Sequence, residues 1–133
     1  MTMAMLTRND KIVCGTYAVI AVVALVATWW NNIGFFTTES TSLIDFFRSG
    51  YANYGSSSLT NDLLLFGLAA FVFMVVEARR IGIPKVWIYI VLSAVVAVSV
   101  AFPLFLIRRQ LVLADRRVVE LQRKLASRDS LLN

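Results

Sequence analysis

Two carboxylates stand at the ends of a long apolar run, Asp62 and Glu77, and these are the side chains best placed to do chemistry. A carboxylate pair can divide general acid and general base work, but only if one reacting group can reach both. Fifteen residues separate them, which on one helix is about 22 Å. They cannot serve a single reacting centre within one molecule. The chain has no histidine and one cysteine, Cys14. Histidine is the usual proton shuttle near neutral pH and the commonest metal ligand, so its absence removes most zinc, haem and non-haem iron sites. No glycine-rich phosphate loop, nucleophile elbow or metal-ligand spacing occurs. Cys14 lies inside an apolar run and has no internal disulfide partner, so it reads as a small buried hydrophobe. The sequence therefore offers no catalytic residue, no cofactor-binding residue and no metal ligand, and a non-enzymatic role is expected. An enzyme built on Asp62 or Asn53 is the weakest alternative.

The elements that must position these groups are set by composition. Of 133 residues, 59% are hydrophobic and 16% charged, a membrane profile rather than a water-soluble one. Apolar runs occupy residues 12–30, 63–76 and 86–107. A spanning helix needs about 20 mostly apolar residues. The first and third runs reach that length alone, and the second does so when Asp62, Glu77 and Ala78 are counted at its ends. The predicted fold is an all-α membrane protein with three transmembrane helices. Residues 1–109 make the three-span transmembrane domain, and residues 110–133 a basic amphipathic tail. Arg8 and Lys11 precede the first run, as in a signal peptide. That run is long for a signal sequence, and it ends in Trp29-Trp30-Asn31-Asn32 with no small-residue cleavage site. Paired tryptophans before amides look like an interfacial anchor, so the first helix reads as retained.

Residues 31–61 are rich in Ser, Thr, Asn and Gly. Within them Leu43, Phe47, Tyr51 and Tyr54 share a helical face. This predicts a short interfacial helix over residues 41–54, capped by Thr41 or Ser42. The other reading is a loop that packs its aromatics over the bundle mouth. The link Ile81-Gly82-Ile83-Pro84-Lys85 has glycine at a helix C′ position and proline beyond it. It is short enough to make the second and third helices antiparallel neighbours. In the third, Ser93, Ala97 and Ala101 recur every fourth residue. Such a small-residue stripe allows close helix packing, within the bundle or on a partner. Pro103 removes a backbone donor and marks a kink near the end of that helix.

Interfacial charge falls on Asp62, Glu77, Arg79, Arg80, Arg108 and Arg109. An antiparallel third helix ends beside Asp62, so an Asp62–Arg108 or Asp62–Arg109 contact is expected. Glu77 and Arg80, three residues apart, can pair along their own helix. Seven of the 13 basic residues follow Ile107, in a chain of net charge +5. In that tail Leu111, Ala114, Val118, Leu121, Leu125 and Leu132 follow alternating three and four spacings, with Arg128 at the remaining seam position. Arg116, Arg117, Glu120, Arg123 and Lys124 fall outside the seam. The pattern predicts a C-terminal amphipathic, coiled-coil-like helix continuing the third. Short heptad helices are marginal alone. Leu111, Val118, Leu121, Leu125 and Leu132 are therefore expected to contact a partner, a second copy or the membrane surface; a solvated, frayed helix is the plain alternative. The tail has no interleaved aromatics, so nucleic-acid binding is not expected. Charge gives mixed signals on orientation. Three spans put the N-terminus and the second link on one side, with five cations, and Arg48 and the tail on the other. Early and short-loop charges place the N-terminus in the cytoplasm and the C-terminus outside, whereas total count reverses this.

One series of residues carries a resemblance. It comprises Ala52-Asn53, Ser56 and Asp62, then Glu77-Ala78-Arg79-Arg80-Ile81-Gly82, Trp87, and Ser99 through Pro103-Leu104-Phe105-Leu106. The Glu-x-Arg-Arg-x-Gly link and the Ser-x-x-x-Pro-Leu-Phe ending are specific when taken together. On these residues the stretch 52–109 resembles a family of small bacterial membrane proteins known only as domain of unknown function 2834. The first helix is compatible with it. That family often has glycine where Ala78 stands and usually stops soon after the third helix, so the long tail departs from it. The resemblance implies a three-span, multi-pass protein of the bacterial inner membrane and supplies no activity. The expected function is a non-enzymatic accessory or structural subunit of a larger membrane complex, of transporter or respiratory type. Its partners are other integral membrane subunits and membrane lipids, with no cofactor. The alternative is a self-assembling module that binds or moves a lipid or quinone as a homo-oligomer.

Overall fold

The computed structural model describes residues 6–39 and 42–132, and of Glu39, Ser130 and Leu132 the backbone alone. Among the described residues there are five α-helices and no strand. These are α1 (Arg8–Gly34), α2 (Leu43–Ser49), α3 (Tyr54–Ile81), α4 (Trp87–Val95) and α5 (Val98–Leu132), with a π-helical turn over Phe35–Glu39 extending α1. A capping box starts α1: Asp10 N–H donates to the Thr7 hydroxyl oxygen, and Thr7 N–H donates to the Asp10 carboxylate. Asn53 and Ser56 make the same reciprocal pair at the start of α3. Each box satisfies helix donors that have no intrahelical acceptor. Thus α3 opens eight residues before Asp62. Gly82 ends it at φ +69°, a left-handed conformation that costs a residue with a side chain more than glycine. The N–H groups of Gly82 and Ile83 both reach the Ala78 carbonyl.

A short helix is present where the interfacial one was expected, but it is shorter, Leu43–Ser49 instead of residues 41–54. Ser42 caps it by accepting from Ile44 N–H, and Thr41 lies outside the described residues. Tyr51 falls in the following turn, where its hydroxyl donates to Asn61, and Tyr54 begins α3. The aromatic cluster of the alternative reading exists as well, with Phe46 packed on Phe35 and Phe36.

Over Arg8–Thr38 and over Tyr54–Ile81 the chain is helical, long and apolar enough to cross a membrane. Most large apolar side chains of these two helices lie outside the core, among them Val19, Val22, Val26, Leu65, Leu68 and Val76. The third apolar run is different, and the expected third span is corrected. Its helix stops at Val96, whose N–H bonds the Leu92 carbonyl, and a new one opens on the Ala97 carbonyl, which accepts from Val100 and Ala101. Three β-branched residues, Val95, Val96 and Val98, flank the break, and such side chains lose rotamer freedom in a helix. Pro103, in the second turn of α5, cannot donate to the Ser99 carbonyl. The interruption thus falls at residues 96–97 and not at Pro103.

Folded back at that point, the two halves pack antiparallel. The Tyr89 ring meets the Phe105 ring at 5.5 Å, edge to face, and in the same register Ser93 and Ala101 are both buried. The small-residue stripe is therefore split. Ser93 lies on α4, Ala101 on α5, and Ala97 in the break between them. Ser93 donates its hydroxyl proton to the Tyr89 carbonyl.

The central helix is α5, on which α1, α3 and α4 all pack. Contacts with α3 advance together along both chains: Phe66 and Phe73 to Phe102, Phe73 to Phe105, Glu77 to Arg109. So α5 runs parallel to α3. It runs antiparallel to α1, because Asp10 bonds Gln110 and Arg117, while residues 121–129 are all exposed. Only the earlier part of α5 is left to cover Cys14 and Ala21, the small residues that bring α1 close. Met74, Ala78, Ile81, Ile83 and Phe105 form the core under the 82–86 link. As a result the start of α1, the link and the tail share one end of the bundle. The expectation that N-terminus and tail lie on opposite sides rested on a third span, and among the described residues only α1 and α3 are long and apolar enough to cross.

Candidate functional site

Two buried carboxylates clamp α5 where it leaves the bundle. Asp10 is 4% exposed. Its Oδ1 accepts from Gln110 Nε2 at 2.6 Å and its Oδ2 from Arg117 Nη2 at 2.7 Å, beside the Thr7 hydroxyl at 2.8 Å. Glu77 is 6% exposed. Its Oε1 accepts from Arg109 Nε at 2.6 Å, and Arg80 grips both oxygens through Nε and Nη2, each at 2.7 Å. The sequence reason is a repeat. Gln110 and Arg117 are seven residues apart, two turns on one face, and face α1. Arg109 and Arg116 repeat the spacing one position earlier, about 100° around the helix, toward α3 and the link. Arg116 Nη2 lies 3.6 Å from where a Cβ on Gly82 would stand.

These groups hold a helix; they are not poised to transfer a proton. Each carboxylate has three or more donors aimed at it, and charge-assisted bonds of this length are the strong class. Among the described residues no buried side-chain polar atom lacks a hydrogen-bond partner, and no cluster of metal-ligating side chains occurs. Of the sequence-predicted residues, the structure brings together Glu77, Arg80 and Arg109. It does not bring Asp62 to Arg108 or Arg109. Asp62 is exposed near the other end of α3, about 22 Å of helix away from Glu77, and that expectation is corrected because α5 runs parallel to α3. Arg79 is exposed at the end of α3. Asn53 spends its side-chain oxygen as the α3 cap.

Sequence reasoning missed Asp10, Gln110 and Arg117. The available signals were the Thr7-x-x-Asp10 capping pattern and the seven-residue repeat of Arg109-Gln110 as Arg116-Arg117. The tail seam is partly internal: Ala114 is buried, and Leu111 and Val118 are half-buried. Past them it is bare, with Leu121 61% and Leu125 60% exposed, and the Leu132 side chain lies outside the described residues. On the outer tail surface Lys124 pairs with Glu120 at 2.8 Å and holds its carboxyl below the usual range. Exposed pairs of this kind stabilise little.

An all-helical chain with two span-length helices, a folded-back hairpin and a clamped exit helix is the class this geometry defines. The model of the family described as Protein of unknown function DUF2834 matches residues 16–111, and the chain belongs to that family. The match takes in most of α1, the hairpin and the Glu77–Arg109 clamp, whereas Asp10, Arg117 and the exposed tail fall outside it. No curated protein and no solved structure matches the chain.

Proposed function

We propose that this protein is a non-enzymatic accessory subunit of a larger bacterial inner-membrane assembly, of transporter or respiratory type. It lies in the bilayer with α1 and α3 crossing and α4–α5 entering and returning. The break at residues 96–97 carries the reading. At about 14 Å, α4 spans half of a bilayer core, so its end lies within hydrocarbon. Interrupted backbone there is tolerated only against protein or a water-filled cavity. Yet Ala94, Val95 and Ser99 around the break are exposed and Val96, Ala97 and Val98 are only half-buried, so the described helices cover it in part. A neighbouring subunit supplies the rest of that cover, and the bare seam at Leu121 and Leu125 supplies a second contact outside the membrane.

Charge supports a single orientation once the hairpin is in place. All basic residues except Arg48, twelve of 13, belong to the end that carries the start of α1, the 82–86 link and the tail. Cations close to spans favour the cytoplasm. Both the N-terminus and the tail are then cytoplasmic, and the conflict between early and late charges disappears.

The test is native mass of tagged protein purified from its own membranes in mild detergent. The full chain is expected to carry stoichiometric foreign membrane subunits. Deletion after residue 117, which keeps both clamps, and Ser99→Trp at the break should each release them. A second copy would also cover the break. A homo-oligomer with bound lipid or quinone and no foreign subunit would instead establish the self-assembling module.

A further inference from the structure

The face of α3 turned away from the core carries an open groove. Its lining runs along Leu65, Leu68, Val72 and Val76, in steps of three and four that keep to one side of a helix, with Phe73 and Glu77 at the edge of that row nearer the core. The twelve residue steps from Leu65 to Glu77 make it about 18 Å long, parallel to the bilayer normal when α3 spans. At its inner end the lining passes from apolar to charged within one turn. Glu77 is held there by Arg80 and Arg109. Two guanidinium charges against one carboxylate leave a net charge of +1. Arg80, three residues beyond Glu77 on the same face, is 63% exposed. It spends Nε and Nη2 on Glu77 and keeps its Nη1 donors for another acceptor.

We propose that this groove seats one acyl chain of an anionic phospholipid, with the lipid phosphate on Arg80 beside Arg109. The occupant follows from charge complementarity along the groove, apolar wall first and cation last. A planar guanidinium suits phosphate oxygens. The cationic end lies on the side where the other basic residues gather, and anionic headgroups of the cytoplasmic leaflet concentrate against such a surface. This site is separate from the hairpin break and does not require a partner subunit.

Full-length protein in mild detergent, given equal amounts of phosphatidylglycerol and phosphatidylethanolamine, is read by native mass spectrometry. Phosphatidylglycerol adducts are expected to exceed phosphatidylethanolamine adducts about fivefold, the factor available from one partly exposed charge contact. Arg80→Gln should bring the two adducts level. Val72→Trp fills the exposed groove without touching either clamp and should remove both adducts, which keeps the test decisive if Arg80→Gln weakens the fold. Equal adducts on the unaltered protein would overturn the assignment. So would phosphatidylglycerol retained by Val72→Trp, a second copy bound in place of lipid, or displacement of the lipid by inorganic phosphate.

Discussion

Phe105→Ala is expected to lower the stability of the detergent-solubilised protein by about 3 kcal/mol, the lower end of the cost of truncating a buried phenylalanine. Phe105 is fully buried. It is the ring on which the hairpin closes against α3, touching Tyr89 of α4 and Phe73 of α3. In the proposed bilayer setting the water-to-oil transfer contributes little, because detergent or acyl chains are as apolar as the core. What remains is the cavity left by the missing ring and the contacts its lining loses. Phe66→Ala is the comparison. Phe66 contacts Phe102 but is 54% exposed, so its removal should cost under about 1 kcal/mol. Thermal unfolding of both variants checks the pair, and equal midpoints would mean that the hairpin does not close on Phe105.

Glu77→Leu is the second large effect, a loss of about 1–3 kcal/mol. The substitution leaves two guanidinium groups without their acceptor. Arg80 can turn to water, but the Arg109 side chain is only 28% exposed and is held by the packing of α5. The loss stays below that of a fully buried pair because one of the two cations is already solvated. Arg109→Leu alone should cost less, since Glu77 keeps Arg80. The double substitution Glu77→Leu/Arg109→Leu should recover part of the loss, as expected when an unpaired charge and not a missing attraction is the main penalty. Additive single losses would contradict this.

Most of the helical content was legible in the sequence, and so was the end of α3, but the local capping boxes that open α1 at Thr7 and α3 at Asn53 were missed. Gly82 marked the end of α3 because a left-handed cap is a property of one residue and its neighbours. Glu77 with Arg80 was readable for the same reason, being an i, i+3 pair on one helix. The tail also emerged as a helix continuous with the preceding apolar segment, from a seam visible between Leu111 and Leu125. The topology was not legible. Residues 86–107 have the length and apolarity of one span, and nothing in a hydropathy pattern separates a single crossing from a hairpin of two short helices. The fold-back depends on tertiary packing, with Tyr89 on Phe105 and Ser93 and Ala101 both buried, which rewards two antiparallel halves. That single error moved Arg109 from one end of the bundle to the other. It replaced the expected Asp62 partner with Glu77 and hid the Asp10–Arg117 clamp, whose two members are 107 residues apart in the chain.

The fold-back is the claim on which orientation, clamps and partner reading all depend, and the sidedness of the tail tests it most directly. In a Cys14→Ala background, single cysteines at Asn9, Gln122 and Tyr54 are exposed in turn to a membrane-impermeant thiol reagent on intact cells stripped of their outer barrier. Tyr54→Cys, fully exposed at the start of α3, should react at once. Asn9→Cys and Gln122→Cys should both stay protected until the membrane is opened, and then react together. Labelling of Gln122→Cys from outside while Asn9→Cys stays protected would mean three crossings, and would contradict the hairpin.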